Sequence, residues 1–535
     1  METQEQKPNY QPAEGNQAPL EDLVKNELPL SPKDQETYFT KEQLDIFFAA
    51  FRVPDFVYEL IITGALSSAF IPIFIKYKKN PETLKENMSS IINVMMLILI
   101  IFMTITLIFA DKIIPLTIPG FNARDTQIVI QLSRIFLISQ LPFMVLGNIF
   151  SGIGQANKTF ILTAIAPIVY TVGLICGTVF LSSSMGVYGP ALGVSIGAFL
   201  FFLIQFPIIF VVKFSYKFFT FKRDVIREFF TLIVPRTLTV FSSQIDNTID
   251  LILATLVGGG SYTIIYFAQR LQLFPVAFVG MSFGQASLPY VASLYKERDF
   301  PTIQKLFVNS ILQVLYVSIP LSLFFIFART PLVRIAYGGD KFDWNATVLT
   351  AIALSAFALS VPIHSIFYFI TRAFYAFHDT KTPFFINVFA IIINAILSCT
   401  FILVLKLPIW SLGLSFSIAI TINVIILLIV FYRRIKGFRI TKLLMHTGKI
   451  YVISFISALP AYGIIKILDT LVFDTTRTIN VFFLLIISGF VFGICYLFTS
   501  WFFAVEEVYI LGKLLLKFKA LRRRITEVYT ESASV

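Results

Sequence analysis

Arginines and aspartates occur inside stretches of this sequence that are otherwise almost entirely apolar. Among them are Arg52, Asp246, Asp250, Arg270 and Arg372. An ionisable side chain inside a membrane-spanning helix is energetically costly, and such residues usually belong to a substrate or ion pathway. Neither the 3 histidines nor the 3 cysteines have the spacing of metal ligands, and no catalytic motif stands out. The pattern therefore indicates a transporter and not an enzyme.

Helical spacing places four charged residues on one face of the first apolar stretch. Asp45, Arg52, Asp55 and Glu59 follow one another at intervals of 7, 3 and 4 residues, as residues on one helix face do. Arg52 is therefore positioned to pair with Asp55, and such a pair would reduce its availability for a substrate anion. Asp45 lies at the boundary of the stretch, so a solvated helix end is one of its two interpretations.

A second group of polar residues can form a cation site. Asp246 and Asp250 are four residues apart on one helix face, and the turn at Gly258–Gly260 brings Asp250 and Arg270 to similar depth. Asp250 and Arg270 either form an ion pair, or one of the two aspartates binds a cation or a proton. Further oxygen ligands lie near the middle of later apolar stretches, at Asn394, Ser417 and Thr421. Such ligands suit a hard cation such as sodium.

The apolar stretches predict an all-α polytopic membrane protein. Of the 535 residues, 56% are hydrophobic, and the mean hydropathy of +0.80 lies far outside the range of soluble domains. A spanning helix needs roughly 20 apolar residues, and on that basis we expect about 13 transmembrane helices. They cover residues 44–75, 89–110, 125–150, 159–182, 187–212, 229–257, 261–294, 303–328, 346–377, 383–405, 411–432, 449–468 and 479–503.

Basic residues are concentrated in alternate connections between these stretches. The basic connections are those around Lys76–Lys85, Lys213–Arg227, Lys296–Lys305 and Arg433–Lys442. The positive-inside rule places them in the cytoplasm. The net charge of +12 therefore reflects membrane topology and contact with anionic membrane lipids, and we expect no nucleic-acid partner.

One short motif superficially resembles a phosphate-binding loop. It is Gly152–Thr159, which lies between two apolar stretches. Asn157 replaces the second glycine that such a loop requires, and no strand precedes it. The motif is a tight connection between helices, and we expect no ATP binding.

These features divide the chain into six segments. They are a disordered polar tail at 1–43, a first lobe at 44–212, a cytoplasmic linker at 213–228, a second lobe at 229–434, two extra transmembrane helices at 435–503 and an amphipathic cytoplasmic tail at 504–535. The first segment lacks the basic and apolar regions of a signal peptide.

An internal repeat relates the two lobes. Arg52 precedes Pro72 by 20 residues, and Arg270 precedes Pro289 by 19, each within an apolar stretch that ends at a basic turn. Lys158-Thr159 and Lys381-Thr382 make a second match, with a similar offset near 220. Duplicated bundles are common in secondary transporters, whose substrate site lies between the halves. The repeat also predicts a helix before the Arg52 helix that the sequence lacks, so the chain is either truncated or a variant with 13 spans.

A combination of motifs resembles the MurJ/MviN family of lipid II flippases, within the multidrug/oligosaccharidyl-lipid/polysaccharide exporter superfamily. The motifs are Leu44–Pro54 with Gly64–Pro72, Ser243–Ile245 with Asp250 and Ala254, Tyr266–Pro275 with Leu288–Pro289, Arg372–Pro383, and Gly413–Ser417. The resemblance covers residues 44 to about 505, and no single motif carries it alone. Members usually have 14 helices, so the two lobes here would correspond to helices 2–6 and 7–12 of the family.

The resemblance implies a substrate and roles for the charged residues. The substrate would be lipid II, an undecaprenyl-pyrophosphate-linked disaccharide-pentapeptide, flipped between leaflets of the bacterial cytoplasmic membrane by alternating access. Arginine suits its phosphates because the planar guanidinium binds oxygens in pairs and stays charged. We rank Arg270 first as a head-group ligand, Arg52 second and Arg372 third, and Asp45 matches a gate residue near the outer mouth. Each arginine has a structural ion pair as its alternative.

The same resemblance leaves the coupling and two other functions open. Some family members bind sodium among helices 7, 11 and 12, which supports a sodium or proton site at Asp246, Asp250, Asn394, Ser417 and Thr421; no other cofactor is expected. The chain departs from the family at Tyr58, Glu59 and Thr63, where paired arginines and a glutamate are common. The alternatives are a flippase for another undecaprenyl-linked glycan and a non-transporting scaffold of cell-wall assembly.

Overall fold

Helices form nearly all of the structure. The computed structural model describes residues 40–212, 214–339, 342–475 and 477–509. The predicted disordered tail up to residue 39 and the predicted amphipathic tail beyond residue 509 lie outside them. In chain order the helices are α1 (Lys41–Ala65, continued by Ile71–Tyr77), α2 (Pro81–Thr117), α3 (Ala123–Ala156), α4 (Ile161–Met185), α5 (Tyr188–Val212), α6 (Arg223–Val257), α7 (Ser261–Lys296), α8 (Phe300–Phe327), α9 (Arg329–Tyr337), α10 (Trp344–Ala358), α11 (Val361–Ala376), α12 (Lys381–Val404), α13 (Ser411–Arg434), α14 (Ile440–Val472) and α15 (Thr478–Phe502).

Each predicted transmembrane stretch coincides with a helix or a helix pair, which confirms the predicted fold class. Within the described residues, 10 helices are long and apolar enough to cross a membrane, and α10 with α11, bent by 47°, is an eleventh if the pair is one span. The two other predicted spans are α1 and α6, which carry Arg52, Asp246 and Asp250. The two helices that fail a simple hydropathy criterion therefore carry charge at membrane depth, as α7 also does through Arg270.

Local geometry repeats between the two lobes. Asn80 caps α2 and Asp299 caps α8, and each side chain accepts a hydrogen bond from the backbone amide three residues later. Such caps satisfy an amide that the first helical turn leaves without a partner. A π-helical turn occurs at Gly177–Leu181 in α4 and at Thr400–Val404 in α12. Both matches have the offset near 220 residues that the sequence repeat predicts.

The three largest apolar cores of the described residues show how the lobes meet. One core contains residues of both lobes near the outer ends of their helices, including Phe47, Leu132, Leu251, Ile265 and Leu354. The other two lie toward the cytoplasm: one joins the first lobe to the start of α6, and the other belongs to the second lobe with α14 and α15. Apart from α6, the described parts of the lobes therefore share a core toward the outer face and have separate cores toward the cytoplasm, which is an inward-facing arrangement.

A close backbone contact joins the two lobes at the outer face. Gly120, in the connection between α2 and α3, lies so near the end of α6 that a Cβ atom there would be 1.8 Å from the Thr255 carbonyl oxygen. Lys41 at the start of α1 forms an ion pair with Asp343 before α10, at 3.7 Å. Only a residue without a side chain fits at position 120 in this state.

The last two helices pack against α8. The Tyr496 hydroxyl of α15 donates a hydrogen bond to the Tyr316 carbonyl oxygen of α8, at 2.7 Å. Toward the outer face, Phe492 stacks near Phe324 of the same two helices, with ring centroids 6.1 Å apart. The pair α14–α15 thus extends the second lobe and leaves the contact between the lobes untouched.

Candidate functional site

A cavity of about 300 Å³ lies between the two lobes at membrane depth. Its wall includes Arg52 and Asp55 of α1, Tyr170 of α4, Asp250 of α6 and Arg270 of α7. The outer core lies on one side of this cavity, so the joined outer ends of the lobes separate it from the outer face. The structure therefore brings together three of the predicted residues, which are Arg52, Asp250 and Arg270.

The Arg52 guanidinium is bound by neutral groups of the opposite lobe. Its Nη2 atom donates to the carbonyl oxygen of Gln244 at 2.6 Å and to the side-chain Oε1 of Gln244 at 2.5 Å. Its Nε atom donates to the Thr248 hydroxyl at 3.1 Å. No ion pair joins Arg52 to Asp55 among the described residues, so the predicted pair is replaced by these hydrogen bonds. Arg52 is thereby fixed in orientation while it keeps its full charge.

The Arg270 guanidinium has fewer contacts. Its Nη2 atom donates to the Tyr266 hydroxyl at 3.1 Å, and the guanidinium carbon lies 4.8 Å from the centre of the Tyr266 ring. In the described part of the chain no carboxylate lies within ion-pair distance of Arg270. The alternative in which Arg270 pairs with Asp250 is therefore wrong for this conformation. Arg270 is exposed to the cavity with its charge unneutralised.

Two carboxylates in the wall give the cavity a balanced formal charge. Asp55 and Asp250 line it together with Arg52 and Arg270. The Asp250 side chain is buried, and its Oδ1 atom has no hydrogen-bond partner among the described residues. A buried polar atom without a partner is costly, and an unaccounted ion or water is a common explanation.

Asp45 lies outside the cavity wall and joins the lobes. It is 1% exposed, and its Oδ1 atom accepts a hydrogen bond from the Thr263 amide at 2.6 Å. Thr263 is in the first turn of α7, where the helix dipole favours a negative charge. The interpretation of Asp45 as part of a solvated helix end is therefore wrong, and its place fits the outer contact between the lobes.

Arg372 is placed apart from the other two arginines. It lies near the cytoplasmic end of α11, where its guanidinium carbon is 5.8 Å from the centre of the Tyr375 ring. Its side chain also packs beside Gly284 of α7. The structure does not include Arg372 in the wall of the central cavity, and its role as a head-group ligand stays a prediction.

The predicted cation ligands are brought together in part. The Asn394 amide of α12 donates to the Asp246 carboxylate of α6 at 2.9 Å, and the Asn394 Oδ1 atom is buried without a partner among the described residues. The Ser417 hydroxyl instead donates to the Ala356 carbonyl oxygen, and the Thr421 hydroxyl donates to that of Ser417, each at 2.7 Å. No group of three or more His, Cys, Asp or Glu side chains suited to a metal ion occurs within the described ranges. A cation site at Asp246, Asp250 and Asn394 therefore stays a prediction.

Several residues of the site were missed in the sequence. The neutral polar and aromatic residues of the wall are Gln140, Tyr170, Asn247, Tyr262, Tyr266 and Gln269. Gln244 and Thr248, which hold Arg52, belong to the same polar run of α6 as Asp246 and Asp250. The sequence contains a signal for these residues, because amides and hydroxyls at helical spacing are unusual in an apolar span. A prediction based on charged residues alone does not use that signal.

Comparisons with known proteins agree with this architecture. Residues 36–482 match the sequence model of the family described as lipid II flippase MurJ. A probable lipid II flippase MurJ of Rickettsia prowazekii is 29% identical over 354 residues, which are 64% of this chain and 69% of that protein. A solved structure of a lipid II flippase MurJ in an inward closed conformation has a TM-score of 0.73 and 27% identity, covering 88% of this chain and 94% of its own. An inward-facing multidrug resistance MATE family transporter of the MOP superfamily shares the fold, with a TM-score of 0.65 and 14% identity over 74% of this chain and 91% of its own.

Proposed function

The chain belongs to the lipid II flippase MurJ family, and from this premise we propose that it moves lipid II from the inner to the outer leaflet of the bacterial cytoplasmic membrane by alternating access. The observation that carries the proposal is the cavity between the lobes, with Arg52 and Arg270 in its wall. A pyrophosphate-sugar head group cannot cross hydrocarbon unaided, because it would lose its hydration. A polar cavity replaces that hydration while the isoprenoid chain stays in the bilayer.

The two arginines have different tasks in this mechanism. Arg270 is the primary ligand, since its guanidinium is exposed to the cavity and, within the described residues, has only Tyr266 as a partner. Arg52 is held by α6 and adds a fixed positive charge on the opposite wall. Charge-assisted hydrogen bonds to phosphate oxygens are stronger than neutral ones, so Arg270 supplies most of the head-group affinity. The joined outer ends direct loading to the cytoplasmic side.

A cation accompanies the substrate in this proposal. Asp55 and Asp250 balance Arg52 and Arg270, so a pyrophosphate entering the cavity adds negative charge that the wall does not offset. Sodium, or a proton, bound near Asp246, Asp250 and Asn394 would compensate for part of it. Moving one charge through 100 mV is worth about 2.3 kcal/mol, so the same cation can couple the cycle to the membrane potential.

The experiment is rescue of flippase-depleted bacteria, with lipid II at the outer leaflet as the readout. Arg270→Ala should abolish rescue at normal membrane abundance, because loss of a charged hydrogen bond costs roughly 1.5–3 kcal/mol, or about 10- to 150-fold in affinity. Arg270→Lys should retain partial activity, since it keeps the charge and loses the planar fork. Arg134→Ala is the matched control, because Arg134 pairs with Asp111 outside the cavity.

Each possible outcome separates the alternatives. Rescue by the unmodified chain with full activity of Arg270→Ala would contradict the assigned site. No rescue by the well-expressed chain would contradict lipid II transport and favour a scaffold, and rescue of a different undecaprenyl-linked glycan pathway alone would favour the sibling exporter. For the coupling ion, activity of the wild type in reconstituted vesicles should depend on sodium or on a proton gradient, and Asp246→Asn should remove that dependence.

A further inference from the structure

A second, larger cavity opens at the cytoplasmic face of the second lobe, apart from the cavity between the lobes. Its volume is about 770 Å³. Its wall is formed by the first turns of α8, the end of α13, the connection that leads into α14, and Glu506 after α15. It therefore lies where the appended helices α14 and α15 meet the second lobe, at the level of the cytoplasmic head groups.

The side chains around this cavity are mostly cationic. Its basic residues are Lys305, Lys436, Arg439 and Lys442, against the single carboxylate of Glu506. Lys442 binds Glu506 at 2.9 Å, and across the described ranges no carboxylate lies within 4.0 Å of the other three cations. Some other cations of this face are paired with a carboxylate, as Lys222 is with Glu86 at 2.7 Å. From the described residues alone, the cavity therefore keeps an unneutralised positive charge of three.

Defined contacts hold the basic connection in place. The Gln304 amide of α8 donates to the Ile435 carbonyl oxygen at 2.7 Å, which ties the end of α13 to the start of α8. Lys436 has a left-handed backbone with φ 60°, and its ammonium lies 5.5 Å from the centre of the Phe300 ring. A non-glycine residue in this conformation at a helix end is stabilised by its surroundings. The cations are thus presented by a fixed turn.

The apolar surroundings indicate a ligand that belongs to the membrane. Val308 and Phe438 contribute apolar surface to the wall. Just beyond it, Ile440, Leu444 and Met445 in the first turns of α14 are exposed by 44%, 65% and 69%. These side chains alternate with Arg439 and Lys442, so acyl chains would lie along α14 while a phosphate faces the cations. Basic pockets between helices on the cytoplasmic side commonly bind anionic head groups.

We propose that this cavity binds the phosphate head group of an anionic phospholipid of the cytoplasmic leaflet. The lipid bridges Lys305 of α8 and the basic turn at Lys436–Arg439, and so fixes the appended helices to the second lobe. The proposal is independent of the transported substrate, because none of these residues lines the cavity between the lobes.

Native mass spectrometry of the full-length protein in detergent micelles tests the proposal. Phosphatidylglycerol should bind the wild type in preference to phosphatidylcholine. The triple variant K305Q/K436Q/R439Q should bind phosphatidylglycerol roughly a hundredfold more weakly, since each basic side chain near an anionic surface contributes a factor of about five. The control K79Q/R223Q/R227Q removes the same charge from exposed cytoplasmic positions outside the cavity and should bind as the wild type does.

A second variant keeps the test valid if the triple variant folds poorly. The hydrogen bond from Lys442 lowers the pKa of Glu506, so this carboxylate is charged at neutral pH. Glu506→Gln removes its repulsion and frees Lys442, and should strengthen phosphatidylglycerol binding several-fold. Four results would each overturn the proposal. Two are equal weakening of binding by the control triple variant and equal binding of phosphatidylcholine to the wild type. The others are unchanged or weaker phosphatidylglycerol binding by Glu506→Gln, and complete displacement of the lipid by millimolar inorganic phosphate.

Discussion

Replacing Gly120 by alanine should open the outer contact between the lobes. A Cβ atom at this position would lie 1.8 Å from the Thr255 carbonyl oxygen and 2.3 Å from its carbonyl carbon. Both atoms belong to the backbone, so no side-chain rotation can relieve the clash. Real Cβ atoms essentially never approach within 3.0 Å of such neighbours, and the two segments must move apart by roughly 1 Å or more.

The size of the shift between conformations depends on which conformation contains the clash. Overpacking of this kind costs about 1–3 kcal/mol, and it applies only while the outer ends are joined. An outward-open state in which the outer ends part would separate Gly120 from Thr255 and would be free of this cost. The ratio of outward-open to inward-facing molecules should therefore rise by about 5- to 150-fold.

Distance measurements between spin labels on the two lobes test this prediction. Lys112 and Asn345 are exposed near the outer ends of α2 and α10, and both accept a label in a background without the three cysteines. Gly120→Ala should shift the distance distribution toward longer separations. Gly463→Ala is the matched control, because no atom lies within 4 Å of a Cβ at that position. An unchanged distribution for Gly120→Ala would refute the argument that this contact holds the outer face closed.

Two further predictions concern stability at the cytoplasmic face. Asn80→Ala and Asp299→Ala remove equivalent helix caps from the two lobes. Each substitution should lower the free energy of unfolding, measured in detergent, by about 1 kcal/mol. A large effect of only one of the two substitutions would contradict the equivalence of the caps. Burial acts to raise the pKa of Asp379, but hydrogen bonds from Thr382 and Arg434 outweigh it and the pKa is lowered. The stabilisation from its ionised form is therefore present above about pH 3.9 and lost as pH falls through the lowered value. Thermal melts of Asp379→Asn at different pH values should lack this loss of stability in acid. A dependence on pH like that of the wild type would show that Asp379 does not cause the loss.

The helices could be predicted from the sequence because their signals are local. Hydropathy depends on about 20 consecutive residues, and each predicted stretch coincides with a helix or helix pair. The repeat could also be found, since short motifs such as Lys158-Thr159 recur in the second lobe as Lys381-Thr382. The helix caps at Asn80 and Asp299 have a similar offset. Local signals of this kind can be recognised in the sequence without knowledge of tertiary contacts.

The pairing of charges could not be predicted, because it depends on contacts between distant segments. Helical spacing made Asp55 the natural partner of Arg52, yet Gln244 and Thr248, almost 200 residues away, take that place. Depth alone suggested a pair between Asp250 and Arg270, and depth does not specify the direction in which a side chain points. A fully buried charge needs partners, but the sequence does not state which neutral groups supply them.

Arg52 and Arg270 have different surroundings. Arg52, on α1, is bound by α6 of the second lobe. Within the described residues, Arg270 has only the Tyr266 hydroxyl and ring as partners. The asymmetry leaves one guanidinium fixed and the other available, and it is the available one that an entering phosphate can bind without first breaking a bond within the protein.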